Sequence, residues 1–157
     1  MNVLLSVKPK YAEKILEGEK KYEFRRAIFR RNDVEKVYIY SSSPVSKIIA
    51  GFEIERILKD SPKEIWKKCQ KYAGISKKDF FAYFKNSDVA YAIEIGDVDS
   101  FQESIDPYNI NEDFKPPQSF YYVPTNFLQT LYDVHTELIK PASSTEFMPE
   151  ISFMGQL

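Results

Sequence analysis

Residues 2–7, Asn-Val-Leu-Leu-Ser-Val, form an unbroken apolar run of strand length and predict a short buried strand. Pro9 follows where a first helical residue needs neither a free N–H nor a flexible φ. Tyr11, Ala12, Ile15 and Leu16 then recur at helical spacing, and Gly18 supplies a residue without Cβ where the helix should stop. From Lys21 to Arg26 the period changes to two. Tyr22 and Phe24 share one face, taken as the core side, and Glu23 and Arg25 share the other. Residues 36–40 and 47–58 read as further strands, the second with Ile48, Ala50, Phe52 and Ile54 on one face; Gly51 within it marks a bulge or a close backbone approach.

Two helices follow with explicit start signals. Ser61-Pro62-Lys63-Glu64 is a capping box with proline at the first helical position, ahead of an apolar face of Ile65, Cys69, Tyr72 and Ala73. Ser76 and Asp79 open the next, which presents Phe80, Phe81 and Phe84. Residues 89–95 alternate, with Val89, Tyr91, Ile93 and Ile95 facing in and Ala90, Ala92 and Glu94 facing out. After Gly96 the pattern loosens. Four prolines and several aromatics between residues 106 and 124 predict an extended segment laid over the surface. A short helix is expected over 125–133, and no element beyond Pro141. The expected architecture is α+β: a small, mostly antiparallel barrel-like sheet with helices packed outside, covering 1–123, followed by a C-terminal extension over 124–157.

The chain of 157 residues is long enough for one domain with a real core, and no apolar run approaches the ~20 residues of a membrane span. The N-terminus is charged too early for a signal peptide, so a cytoplasmic location is expected, with no membrane partner. Cys69 is the single cysteine and His135 the single histidine, which excludes an intrachain disulfide and a Cys/His zinc site. Cys69 falls on an apolar stripe and reads as a buried structural thiol; His135 has no obvious partner. No cofactor is expected and no metal ligand is assigned, although a carboxylate-bound metal stays open. The net charge of −1 conceals an asymmetry. Residues 1–85 carry 20 Lys+Arg against 11 Asp+Glu, a balance of +9, whereas residues 86–157 carry 2 against 12, a balance of −10. Either the two regions pair within the fold, or a basic surface faces a polyanion.

The densest polar cluster is Gly18-Glu19-Lys20-Lys21-Tyr22-Glu23-Phe24-Arg25-Arg26. If Tyr22 and Phe24 fill the core, Lys20, Glu23 and Arg25 lie together on the opposite side of the strand. That set offers a donor, an acceptor and a planar fork. A carboxylate accepts from the amino or ring N–H groups of a base, and Arg or Lys holds phosphate or carbonyl oxygens. The competing reading is a surface ion-pair ladder of little energetic consequence. Ser41, Ser42 and Ser43 precede Pro44 and form either a plain polar turn or a loop presenting donors to a phosphate or base. Lys8 could line the same cleft or simply be solvated. Arg25, Arg26, Arg30 and Arg31 with Lys20 and Lys21, beside Tyr22 and Tyr38, suit single-stranded nucleic acid or a solvated face.

Gly18, Lys20, Glu23 and Arg25 match the G-x-K-x-x-E-x-R signature of the activating-signal-cointegrator homology (ASCH) domain. The opening strand, the short helix and the motif entering a strand resemble that family in context. So does Pro116-Pro117-Gln118-Ser119-Phe120, and the resemblance covers about residues 2–123. It implies a PUA-like β-barrel and a cleft between barrel and first helix. Lys8, Gly18, Lys20, Glu23, Arg25, Arg26, Ser41, Ser42 and Ser43 are the candidate binding residues, for RNA or a modified nucleobase. Some members of the family act on their ligand, one branch as amidohydrolases of N4-acetylcytidine and another as ribonucleases. If this chain is an enzyme, Lys20 and Glu23 are the candidate catalytic pair. In the amidohydrolase branch the catalytic lysine matches Lys20, but a threonine stands where this chain has Glu23, and a further catalytic glutamate has no clear counterpart in residues 60–85. The alternative is a regulatory module that binds a protein partner through the aromatic, proline-rich segment 106–124 and the acidic tail.

Overall fold

The computed structural model describes residues 1–139. Pro141 onward, and with it the acidic tail, lies outside the described residues, as does the side chain of His135. Six strands form one mixed sheet: β1 (Asn2–Val7), β2 (Tyr22–Arg25), β3 (Lys36–Ser41), β4 (Lys47–Asp60), β5 (Ala90–Ile105) and β6 (Phe120–Val123), in the order β2-β5-β4-β3-β1-β6. Every pairing is antiparallel except β1 with β3. The described residues also form five helices: α1 (Pro9–Leu16), α2 (Pro62–Cys69), α3 (Lys77–Tyr83), α4 (Pro107–Ile110) and α5 (Phe127–Ile139).

The sheet curls into a half-barrel, and apolar clusters pack on both of its faces. Val3, Leu5, Val37, Ile39, Phe52 and Ile93 fill the concave side together with Ala12 and Ile15 of α1. On the reverse side Leu4, Tyr38, Tyr40 and Ile48 pack under Phe127, Leu131 and Val134 of α5. A third cluster seats Ile65 and Cys69 of α2 and Phe80 of α3 on Phe24, Ala90 and Ala92. The two alanines were expected to face water. They are fully buried, and their small side chains let α2 and α3 approach β5 closely. Val89, expected inside, is exposed.

Other expectations change for identifiable reasons. Ile48 and Ala50 do not share a face with their neighbours throughout, because β3 and β4 shift register between Ile39 and Tyr40, where Ile48 and Ala50 are consecutive partners across the ladder. Gly51 is a close approach: a Cβ there would stand 3.1 Å from the Tyr38 ring. β5 continues through Gly96 to Ile105, although residues 97–100 are all exposed. Segment 106–124 is no surface strap. It supplies α4, the core residue Phe114 and the edge strand β6, whose four residues are all buried. Tyr72, placed on the apolar face of α2, is exposed at the end of a 3-10 turn, Gln70–Tyr72, that follows the helix.

The helix caps follow the sequence signals. The Ser61 hydroxyl accepts from the Glu64 N–H at 3.3 Å, and the Ser76 hydroxyl from the Asp79 N–H at 3.1 Å. Ser61→Ala should therefore lower stability by about 1 kcal/mol in chemical denaturation. A change within error would show that Pro62 alone sets the start of α2.

Candidate functional site

The motif is delivered by a helix end. At the C-terminus of α1 the N–H of Gly18 donates to the Ile15 carbonyl (3.2 Å) and that of Glu19 to the Lys14 carbonyl (3.0 Å), a Schellman closure with Gly18 at φ +78°. The chain reverses and Lys20 enters the protein instead of solvent. The Lys21 N–H donates to the Tyr72 carbonyl at 2.9 Å, which fixes this stretch against the turn after α2.

Lys20 is only 3% exposed. Its Nζ donates to the Ala73 carbonyl at 2.7 Å and lies 4.7 Å from the Phe24 ring centroid and 5.3 Å from that of Tyr11. Glu23 Oε2 is 3.9 Å away, an ion pair without a hydrogen bond. Burial pushes the Lys20 amine below its ordinary pKa; Glu23 opposes that shift, and Lys14 and Arg25 add to it. The contact is thus a buried, desolvated pair, not the exposed ion-pair ladder that was the competing expectation.

Glu23 and Arg25 face the concave side, as their register shows: Glu23 pairs across the ladder with the core residue Ile93. An Arg25 Nη2 donates to the carbonyls of Ser6 (3.0 Å) and Ser119 (3.1 Å), so this side chain reaches from the edge strand β2 to the opposite end of the sheet, where β1 and β6 pair. Ser6 Oγ donates to the Pro117 carbonyl at 2.6 Å and holds the Pro116–Gln118 segment to the same place. Glu23 Oε2 and Arg25 Nε are buried and have no hydrogen-bond partner among the described residues.

These groups wall an open cavity of about 830 Å3, a volume suited to a small ligand or a nucleotide. Lys8, Lys20, Glu23, Arg25, Ser42 and Ser43 line it. Gly18 does not; it acts through the turn that places Lys20. Ser41, the last residue of β3, is buried and pairs with Val7, leading the chain into the serine loop. Arg26 is exposed outside the lining, with its guanidinium 4.8 Å from the ring centroid of Tyr83, which does line the cavity. Sequence reasoning missed Tyr11, Tyr83 and Tyr108 as lining aromatics, and Lys10 beside Tyr11. Tyr11 had been placed with the apolar face of α1; its position one turn from Lys8 on a helix starting at the cleft was the available signal.

Among the described residues no group of three or more His, Cys, Asp or Glu side chains is gathered for a metal ion. Burial pushes the Cys69 thiol up to about 11, in keeping with a packing role. No described helix is long and apolar enough to cross a membrane.

Comparison with known proteins bears on this geometry. A family model described as a domain of unknown function (DUF365) matches residues 1–111. A protein described as an ASCH domain-containing ribonuclease, from Zymomonas mobilis, is 26% identical over 141 residues, which cover 86% of this chain and 93% of that protein. The large ribosomal subunit protein uL22 of Ureaplasma parvum is 27% identical over 123 residues, 77% of this chain but only 39% of that protein. The crystal structure of ASCH from Zymomonas mobilis superposes with a TM-score of 0.76 at 26% identity, covering 85% of this chain and 94% of that one. The half-barrel with its outer helices is the PUA-like α+β fold that the sequence led us to expect.

Proposed function

Since the chain belongs to the DUF365 family and carries an ASCH domain, we propose that it binds single-stranded RNA in the cleft walled by Lys20, Glu23 and Arg25. One observation carries this reading. Glu23 and Arg25 both line a nucleotide-sized cavity, and a buried atom of each, the acceptor Glu23 Oε2 and the donor Arg25 Nε, has no hydrogen-bond partner among the described residues. Burying polar groups without partners costs of the order of 1–3 kcal/mol each, a cost that a ligand supplying complementary groups removes. The rim suits RNA as well: Lys8 and Lys10 offer charge to phosphates, while Tyr11 and Tyr83 offer faces for bases.

A second reading, that the RNA is also cut, is favoured by the Zymomonas mobilis ribonuclease, which matches along almost its whole length. Lys20 has the chemistry for it. Desolvation enlarges its neutral fraction, and a neutral amine can take the proton of a ribose 2′-hydroxyl as that oxygen attacks the adjacent phosphorus. The bond to the 5′-oxygen then breaks, leaving a 2′,3′-cyclic phosphate, and the departing oxygen takes a proton from water at the open mouth.

Fluorescence anisotropy with a labelled ten-nucleotide RNA tests binding. Wild type should bind with an affinity that falls as salt rises; Lys20→Ala and Glu23→Ala should each weaken binding about tenfold or more. Equal binding by wild type and both variants would overturn the site assignment. Incubation of the same RNA, with EDTA and with Mg2+ or Mn2+, reads cleavage; N4-acetylcytidine run in parallel separates it from amidohydrolysis. The cleavage rate should rise with pH through the lowered value of Lys20. No cut RNA under any condition leaves binding alone.

A further inference from the structure

The two unpartnered atoms specify more than an anion site. A phosphate would be met by cations only, and here the wall presents a carboxylate between two of them. Glu23 and Arg25 are two apart on β2, which sets their Cα atoms about 7 Å apart on one face, and both side chains line the same cavity. Arg25 is held in place by the two bonds of its Nη2 to the Ser6 and Ser119 carbonyls, which leave Nε as a buried donor without a hydrogen-bond partner. Glu23 lies between the strand backbone and the Lys20 amine and is 7% exposed. The wall thus offers a fixed acceptor next to a fixed donor, and a carboxylate oxygen takes no hydrogen bond from another acceptor.

We propose that this wall reads the edge of one unstacked nucleobase, and that guanine is the base it fits best. The inference rests on the RNA-binding reading and deepens it. Guanine presents two neighbouring donors, the ring N1–H and the 2-amino group, which a carboxylate can accept together, and its O6 lies beside them for Arg25 Nε. Adenine and cytosine present one exocyclic amino group to the carboxylate and a ring nitrogen to the arginine. Uracil presents a single N–H flanked by two carbonyl oxygens, one of which would face the carboxylate. The match is charge-assisted on both sides and takes place away from bulk water, where such pairs discriminate most strongly. Tyr11 and Tyr83 on the rim are available to hold the neighbouring nucleotides by stacking, without a base preference of their own.

Pentanucleotides UUXUU, made with 2′-fluoro sugars to block any cleavage, test this by anisotropy against the wild-type full chain. With X as guanine, affinity should exceed that of the adenine, cytosine and uracil versions by about tenfold. Inosine, which lacks only the 2-amino group, should lose several-fold. Because inosine alters the ligand and not the protein, that arm does not depend on a variant folding. Glu23→Gln, checked for its folded spectrum, should bind all five RNAs with nearly one affinity. Equal binding of all five by wild type would overturn the guanine assignment and leave RNA binding standing. Binding of none would overturn the RNA reading and this inference with it. A preference for guanine that survives Glu23→Gln would place the selectivity elsewhere in the cleft and overturn the role given to Glu23.

Discussion

A double variant, Lys20→Met with Glu23→Leu, is expected to be at least as stable as the wild type and to have lost its RNA affinity. The buried pair lies at 3.9 Å, beyond hydrogen-bonding distance, with the amine 3% exposed. Desolvation is then poorly offset, and replacing such a pair by well-packed hydrophobic residues of similar volume is often neutral or stabilising by about 1–4 kcal/mol. Lys20→Met alone should behave in the opposite way and lose about 1–3 kcal/mol, because it strands the buried Glu23; the Ala73 carbonyl that Nζ now caps at 2.7 Å is freed in both variants and does not separate them. The pH dependence has a definite sign. In the folded state the Lys20 amine titrates below its ordinary value of 10.5, chiefly through desolvation. The unfolded chain therefore holds more protons between that lowered value and 10.5, and the stability of the wild type rises with pH across the window. The advantage of the double variant should be largest at neutral pH and shrink toward pH 10.5. Cys69, pushed up to about 11, and the tyrosines drop out because both proteins carry them. Urea denaturation from pH 7 to 10.5, with RNA anisotropy on the same samples, reads both quantities. A double variant less stable than either single variant would show that the pair holds the fold together and is not a cost borne by the site.

Much of this site was legible because its residues are local and its punctuation is chemical. Pro9, Gly18 and the two-residue alternation from Tyr22 to Arg25 are enough to send Glu23 and Arg25 to one face and to bring Lys20 to the mouth of the strand. The missing part was the partner set. Lys20 is capped by the carbonyl of Ala73, and Arg25 by the carbonyls of Ser6 and Ser119; backbone acceptors carry no sequence signature. The same limit applies to the fold. Alternation identifies an outer face only when one side of a sheet is wet. This half-barrel is covered on both sides, so Ala90 and Ala92 looked solvent-facing and are buried, while the four buried residues of β6 showed no alternation at all. The charge split reads differently with the geometry in hand: Lys8, Lys10, Lys20 and Arg25 gather on the cavity, and among the described residues no acidic one after Gly96 lines it.

Gly74→Ala is expected to be the most damaging single-methyl change near the cleft, costing about 2–5 kcal/mol. Gly74 has φ +62°, where an alanine loses of the order of 1–2 kcal/mol to its own backbone. Its Cβ would also stand 2.5 Å from Lys20 Cβ and 2.7 Å from Lys20 Cγ. The Cβ contact cannot be relieved by a rotamer change, because Cβ is fixed by the Lys20 backbone, which the Lys21 N–H ties to the Tyr72 carbonyl. Overpacking of this kind adds roughly 1–3 kcal/mol, and the give has to come from the turn that presents the Ala73 carbonyl to Nζ. RNA affinity should fall with stability, since the lysine leaves its seat. The two contributions separate in a mutant cycle. In a Lys20→Ala background the Cβ remains, so Gly74→Ala should cost nearly as much as in the wild type. In a Lys20→Gly background only the backbone strain should remain, and the cost should drop by at least 1 kcal/mol. An identical cost in all three backgrounds would assign the whole effect to the φ of residue 74 and remove the steric link between that turn and the position of Lys20.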